Sequence, residues 1–158
     1  IKDLIDLSKK EGLEDKIIFA GKAPWTDVPK YYSLCDVFVT ASKTETQGLT
    51  VMEAMGASKP VVAIRDESFE LMITDKKDGL FFDDEKSYVD MIYEVYKNKK
   101  LRDEISFNAR LTADKYSPYN YAKNVLKVYE KVISKDTNVV KKVVHNVKNI
   151  FTKSGGKK

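Results

Sequence analysis

Two carboxylates, Glu45 and Glu53, flank a glycine in the stretch SKTETQGLTVMEAMG (residues 42–56). Glu53 interrupts LTVMEAM, where Leu49, Val51, Met52, Ala54 and Met55 are apolar. As a helix this segment is expected to be buried nearly all round. A buried carboxylate without a partner is costly, so Glu53 calls for one. Two readings stand: a ligand offering two hydroxyls, such as a ribose diol, or a Glu that complements the helix dipole while bonded to nearby backbone or a lysine. Glu45, in the preceding loop, either reaches a ligand or is solvated. Gly48 lets the backbone come close, and a helix opening there points the unpaired N–H groups of about Gly48 to Val51 forward. Such an array suits a phosphate or pyrophosphate.

The elements around this stretch must deliver it to a site. DVFVTAS (36–42) reads as a strand, which places KTETQG at a carboxyl strand end, where open α/β sheets bind ligands. KIIFAG (16–21), KPVVAI (59–64) and GLFF (79–82) are further short apolar strands, with Pro60 tolerated at a first position. Helices are expected over 2–11, from Thr26 as N-cap with Pro29 in the first turn, and over 48–57, 68–73, 83–98, 100–115 and 118–134. Alternation of short strands and helices predicts an α/β fold: a doubly wound parallel sheet covered on both faces, with C-terminal helices.

ETQGLTVMEAMGASKPVV resembles the signature of retaining glycosyltransferases of the glycosyl transferases group 1 family, the sucrose-synthase-like and glycogen-synthase-like group with the GT-B fold. Its mark is two Glu with seven residues between, a small-residue turn and PVV. DVFVTAS before it and DGLFF (78–82) after it also match, and the likeness runs over roughly residues 1–133. SKTETQGLT is similar to the branch that makes glucosyl-diacylglycerol lipids. The resemblance implies a Rossmann-like half of a GT-B fold. It further implies a nucleotide-sugar donor, most often a UDP-sugar such as UDP-glucose, with retention at the anomeric carbon and no metal or other cofactor. Glu53 would hold the ribose, and Glu45 would contact the donor hexose at the reaction centre. Backbone at Thr46, Gln47, Gly48, Leu49 and Thr50 would hold hexose hydroxyls and the diphosphate. In GASKP, Ser58 stands where the family often has Gly. The family's phosphate-gripping basic residues and its acceptor-binding half would lie upstream. The chain therefore reads as a donor-binding domain that needs an N-terminal acceptor-binding domain and does not turn over by itself. The acceptor reading is a lipid such as diacylglycerol. Alternatives are a capsule or cell-wall polysaccharide transferase, and a non-catalytic nucleotide-sugar-binding or scaffold domain.

Composition frames this. The 158 residues are 42% hydrophobic and 33% charged, as in a folded globular protein. No apolar run approaches a membrane span, no signal peptide is visible, and a single cysteine, Cys35, points to an intracellular setting. Without an initiator Met, and starting inside an apparent helix, the chain reads as a fragment. Residues 1–120 hold 18 Lys+Arg against 22 Asp+Glu, whereas 121–158 hold 10 against 2. The natural division is a donor domain over 1–134 and a basic amphipathic tail over 135–158. In that tail Val139, Val143, Val147 and Ile150 share one face, with Lys141, Lys142, His145 and Lys148 mostly on the other. Residues 136–158 would pack on the acceptor domain or lie on an anionic membrane surface, making the protein cytoplasmic and peripheral on the inner face. Nucleic acid is not expected, since no aromatic interleaving or known motif supports it.

Other residues have plainer expectations. Asp83-Asp84 opens a helix and should cap it. Cys35 and Tyr31, Tyr32, Tyr88, Tyr93 and Tyr96 are expected as core or edge residues, and His145 as solvated. Trp25 packs locally or lines a cleft. Arg65 and Asp66–Glu70 form a ligand loop or an ordinary surface turn.

Overall fold

The computed structural model describes residues 1–43, 45 and 47–134, so the tail and its His145 lie outside the described residues. Three strands form a parallel sheet in the order β1-β2-β3: β1 Phe38–Thr40, β2 Val61–Ile64 and β3 Leu80–Phe82. Phe38 pairs with Val61, and Val62 with Leu80. Side chains alternate across a strand, so central β2 feeds two cores. Val61 and Ala63 join Val51, Ala54 and Met55 of α3 (Leu49–Gly56). Val62 joins Leu80, Phe82 and Val95, the last from α5 (Glu85–Lys97). Both faces are covered, as the apolar runs predict. Helix α6 (Lys99–Lys115) serves both cores, through Ile105 and Ala109.

KIIFAG departs from expectation. Residues 17–20 form no strand, and Ile18 is 91% exposed. Apolar composition alone makes no strand: the backbone needs a ladder partner, and none of the described strands pairs with this run. Helix α1 (Lys2–Lys10) forms as predicted. Helix α2 (Val28–Leu34) begins two residues after Thr26 with Asp27 at the N-cap position, and no side chain caps it. Helix α4 (Glu67–Glu70) is capped by Asp66, whose carboxylate accepts from Ser68 N.

Two tethers hold the frame. Asp78, 3% exposed, accepts from Thr74 N at 2.6 Å and from Thr112 Oγ1 at 2.7 Å, tying the turn before β3 to α6. Gly79 leaves room that a Cβ would take from Ile73 Cγ2, 2.7 Å away. Helix α7 (Pro118–Ile133) is capped by Ser117, packs against α6, and buries no residue fully. Tyr121, Val128 and Val132 stand exposed along it.

Candidate functional site

The chain leaves β1 at its carboxyl end and reaches Gly48, which turns it into α3 with φ +54°. That left-handed value favours glycine. The end of the Met72 side chain also lies in the volume a Cβ on Gly48 would need, and that flexible end would have to move aside. Gly48 brings no capping side chain, so the Leu49 and Thr50 amides have no acceptor among the described residues, whereas Val51 N, expected to be unpaired, donates to Gly48 O at 3.0 Å. Gln47, Leu49 and Thr50 are exposed at this entrance, and Glu45 is half-buried. Thr46 lies outside the described residues.

The expectation that α3 is buried nearly all round is corrected. Val51, Ala54 and Met55 are buried, but Leu49 is 61% exposed and Thr50 and Glu53 are exposed. The sheet and α6 bury one side of α3 and α2 meets it through Tyr32, while the stripe 49-50-53 stays exposed to solvent. Glu53 is therefore a surface carboxylate, and its partner is one the sequence reading did not assign. Tyr32 Oη donates to Glu53 Oε2 at 3.0 Å. Partial burial, reinforced by that carboxylate, pushes the Tyr32 phenol well above its ordinary 10.0.

Glu53 stands on a wall shared by two depressions. One, of about 900 Å³, is lined by Gln47, Leu49, Met52 and Glu53 with Leu71, Met72, Arg110 and Tyr116 among others. The other, of about 390 Å³, is lined by Trp25, Thr26, Val28, Pro29, Tyr32 and Glu53, closing on Gly56 and Ala57. Trp25, 85% exposed, is thus a cleft residue rather than a packed one. Glu45 and Thr50 share the entrance but line neither depression. Tyr32 escapes sequence reading because its place in the Tyr31-Tyr32 pair fits any helix edge. Nothing local tells that it meets a residue 21 positions on.

Across the same sheet edge, Arg65 follows β2. Its Nε donates to Asp83 Oδ1 at 3.0 Å, Nη2 to Asp75 Oδ2 at 3.2 Å and Nη1 to Glu70 Oε1 at 3.3 Å. The Asp75 bond, with the other two carboxylates, raises the Arg65 pKa further. Asp84 caps α5 as expected, accepting from Ser87 N at 2.7 Å, and the Ser87 hydroxyl and amide hold its carboxyl below its usual range.

Residues 2–112 match the family model for glycosyl transferases group 1. The chain belongs to that family. Among curated glycosyl transferases, the alpha-monoglucosyldiacylglycerol synthase of Acholeplasma laidlawii is 33% identical over 139 residues, 88% of this chain and 34% of that protein. The synthase of the same name from Streptococcus pneumoniae is 26% identical over 156 residues, 93% of this chain and 35% of that one. The chain thus spans about a third of the length of these curated relatives. A solved structure of Anabaena HepE in complex with UDP superimposes with a TM-score of 0.73 at 22% identity, over 84% of this chain and 36% of that one. The parallel sheet with flanking helices is the GT-B glycosyl transferase arrangement. Glu45 and Glu53 thus occur within a glycosyl transferases group 1 domain, with the intervening Gly48 opening α3.

Proposed function

We propose that this chain is the donor-binding domain of a retaining glycosyltransferase that moves glucose from UDP-glucose to a lipid acceptor such as diacylglycerol. One observation carries the site assignment: Glu53 sits between two depressions with Oε2 taken by Tyr32, while Oε1 accepts no hydrogen bond among the described residues. That oxygen can receive the ribose diol, and Tyr32 fixes the carboxylate that does so. The uracil then enters the cleft of Trp25 and Tyr32. The diphosphate faces the amides at Gly48, Leu49 and Thr50, with Gln47 beside it. Glu45 is assigned to the hexose at the reaction centre. In the transfer, the bond from the anomeric carbon to UDP breaks, a bond to the acceptor oxygen forms on the same face, and the acceptor hydroxyl gives its proton to the departing diphosphate oxygen.

The curated relatives support the lipid acceptor, because both are named as glucosyldiacylglycerol synthases. No helix of the described residues is long and apolar enough to cross a membrane, which fits a peripheral enzyme approached through its basic segment. Residues 136–158, the acceptor domain and the inner membrane face complete this reading, with 1–134 as the donor unit.

Saturation-transfer NMR with UDP, UDP-glucose and GDP-mannose tests it. Saturation on uridine and ribose protons, lost in Glu53→Ala, is expected; an unchanged signal in that variant sinks the ribose assignment. Vesicles containing anionic lipid should sediment the full chain but not residues 1–135, and equal sedimentation removes the membrane role.

A further inference from the structure

Arg65 is exposed, and exposed ion pairs contribute little to stability one by one. Its arrangement nonetheless spends every guanidinium nitrogen on a different segment. Nη1 holds Glu70 on α4, Nη2 holds Asp75 in the connection to β3, and Nε holds Asp83 just after β3. The guanidinium carbon also lies 4.8 Å from the centre of the Phe81 ring, within cation–π range. Asp75 is anchored in turn, since its other oxygen accepts from Phe81 N at 3.1 Å. A forked cation bound on three sides can occupy one orientation only, unlike a lysine.

The segment it clamps leads straight to the entrance of α3. From Asp66 the backbone closes on itself: Phe69 and Glu70 donate to Asp66 O, and Met72 and Ile73 donate to Phe69 O. Phe69 is fully buried. The Met72 side-chain end abuts Gly48, and Phe69 Cε1 lies 3.7 Å from where a Gly48 Cβ would stand. Residues 66–72 thus form a hydrogen-bonded wedge under the Gly48 turn, and Arg65 pins the wedge to the sheet.

We propose that Arg65 is a positioning residue: through Glu70, α4, Phe69 and Met72 it sets the backbone of Gly48 and Leu49. Resting on the donor-site reading, the consequence is that Arg65 governs diphosphate affinity through the backbone it positions, each of its three nitrogens being tied to a carboxylate of a different segment.

Amide shifts of Gly48 and Leu49 in the full-length chain, with UDP titrations and thermal melts, decide this. In Arg65→Gln these two amides should shift, UDP affinity should fall about five-fold or more, and the melting temperature should move little. Arg65→Lys should restore affinity only in part, since a point charge cannot hold three segments. Should Arg65→Gln not fold, Glu70→Gln and Asp83→Asn each cut one tether and should show smaller changes of the same kind. Unshifted amides overturn the proposal, as do shifted amides with unchanged UDP affinity. If the unaltered protein takes up neither UDP nor UDP-glucose, the donor-site reading fails. The amide shifts then still decide whether Arg65 sets the turn.

Discussion

Tyr32 and Glu53 are joined by a 3.0 Å hydrogen bond from the phenol to one carboxylate oxygen, linking α2 to the open face of α3. The bond turns a solvent-facing glutamate into an oriented acceptor. Tyr32→Phe should weaken UDP binding while Glu53→Ala abolishes it, read by calorimetry. A pH signature follows from the raised Tyr32 pKa. Below pH 10.0 the phenol is protonated in both folded and unfolded chains, so its contribution is fully present. Above that value the unfolded chain releases the proton and the folded one keeps it, so this contribution declines as pH rises. Thermal melts between about pH 9 and 11 should show the wild type losing stability relative to Tyr32→Phe. Parallel curves would contradict the assignment.

Gly48→Ala places a Cβ where φ is +54° and where the Met72 side-chain end already lies. The left-handed conformation alone costs about 1–2 kcal/mol for an alanine. Urea denaturation should show that loss or more, and nucleotide binding should fall with it. Adding Met72→Ala should recover the steric part only.

Asp78 receives both the Thr74 amide and the Thr112 hydroxyl in a buried setting. Asp78→Ala strands both donors and should cost about 2–4 kcal/mol in chemical denaturation. Thr112→Val removes one bond and should cost about 1 kcal/mol by the same measurement.

Ser58 has φ +57°, and the hydrogen bonds Ser58 N to Met55 O and Lys59 N to Ala54 O close α3 in a Schellman turn. Glycine suits that position without strain. Ser58→Gly should raise stability by about 0.5–1 kcal/mol, the relief of strain outweighing the freer unfolded chain, with UDP affinity unchanged. A lower melting temperature would show that the serine side chain matters more than its backbone.

Strands β1, β2 and β3 are legible because buried parallel strands are short apolar runs bounded by Pro, Gly and Asp. KIIFAG carries the same local signal and forms no strand, since pairing depends on a partner far along the chain. The composition of α3 shows that it is apolar but not which of its sides has a neighbour. Leu49 and Glu53 therefore look buried in sequence and stand open in the fold. Gly48 is readable from its type alone, because a turn into a helix favours it. The Tyr32 and Arg65 contacts are invisible in the sequence: each joins segments whose spacing obeys no helical or strand period.

Among the described residues helix α7 packs chiefly on α6, with Tyr121, Val128 and Val132 exposed. A helix anchored on one flank behaves as its own cooperative unit, opening at a fraction of the free energy needed to unfold the whole domain. In native-state hydrogen exchange, amides of 121–132 should exchange by this sub-global opening, while those of Val61–Ile64 in the central strand exchange only on complete unfolding. The domain therefore has two tiers of protection, a slow sheet and a fast last helix, and whatever docks on that helix would raise the lower tier.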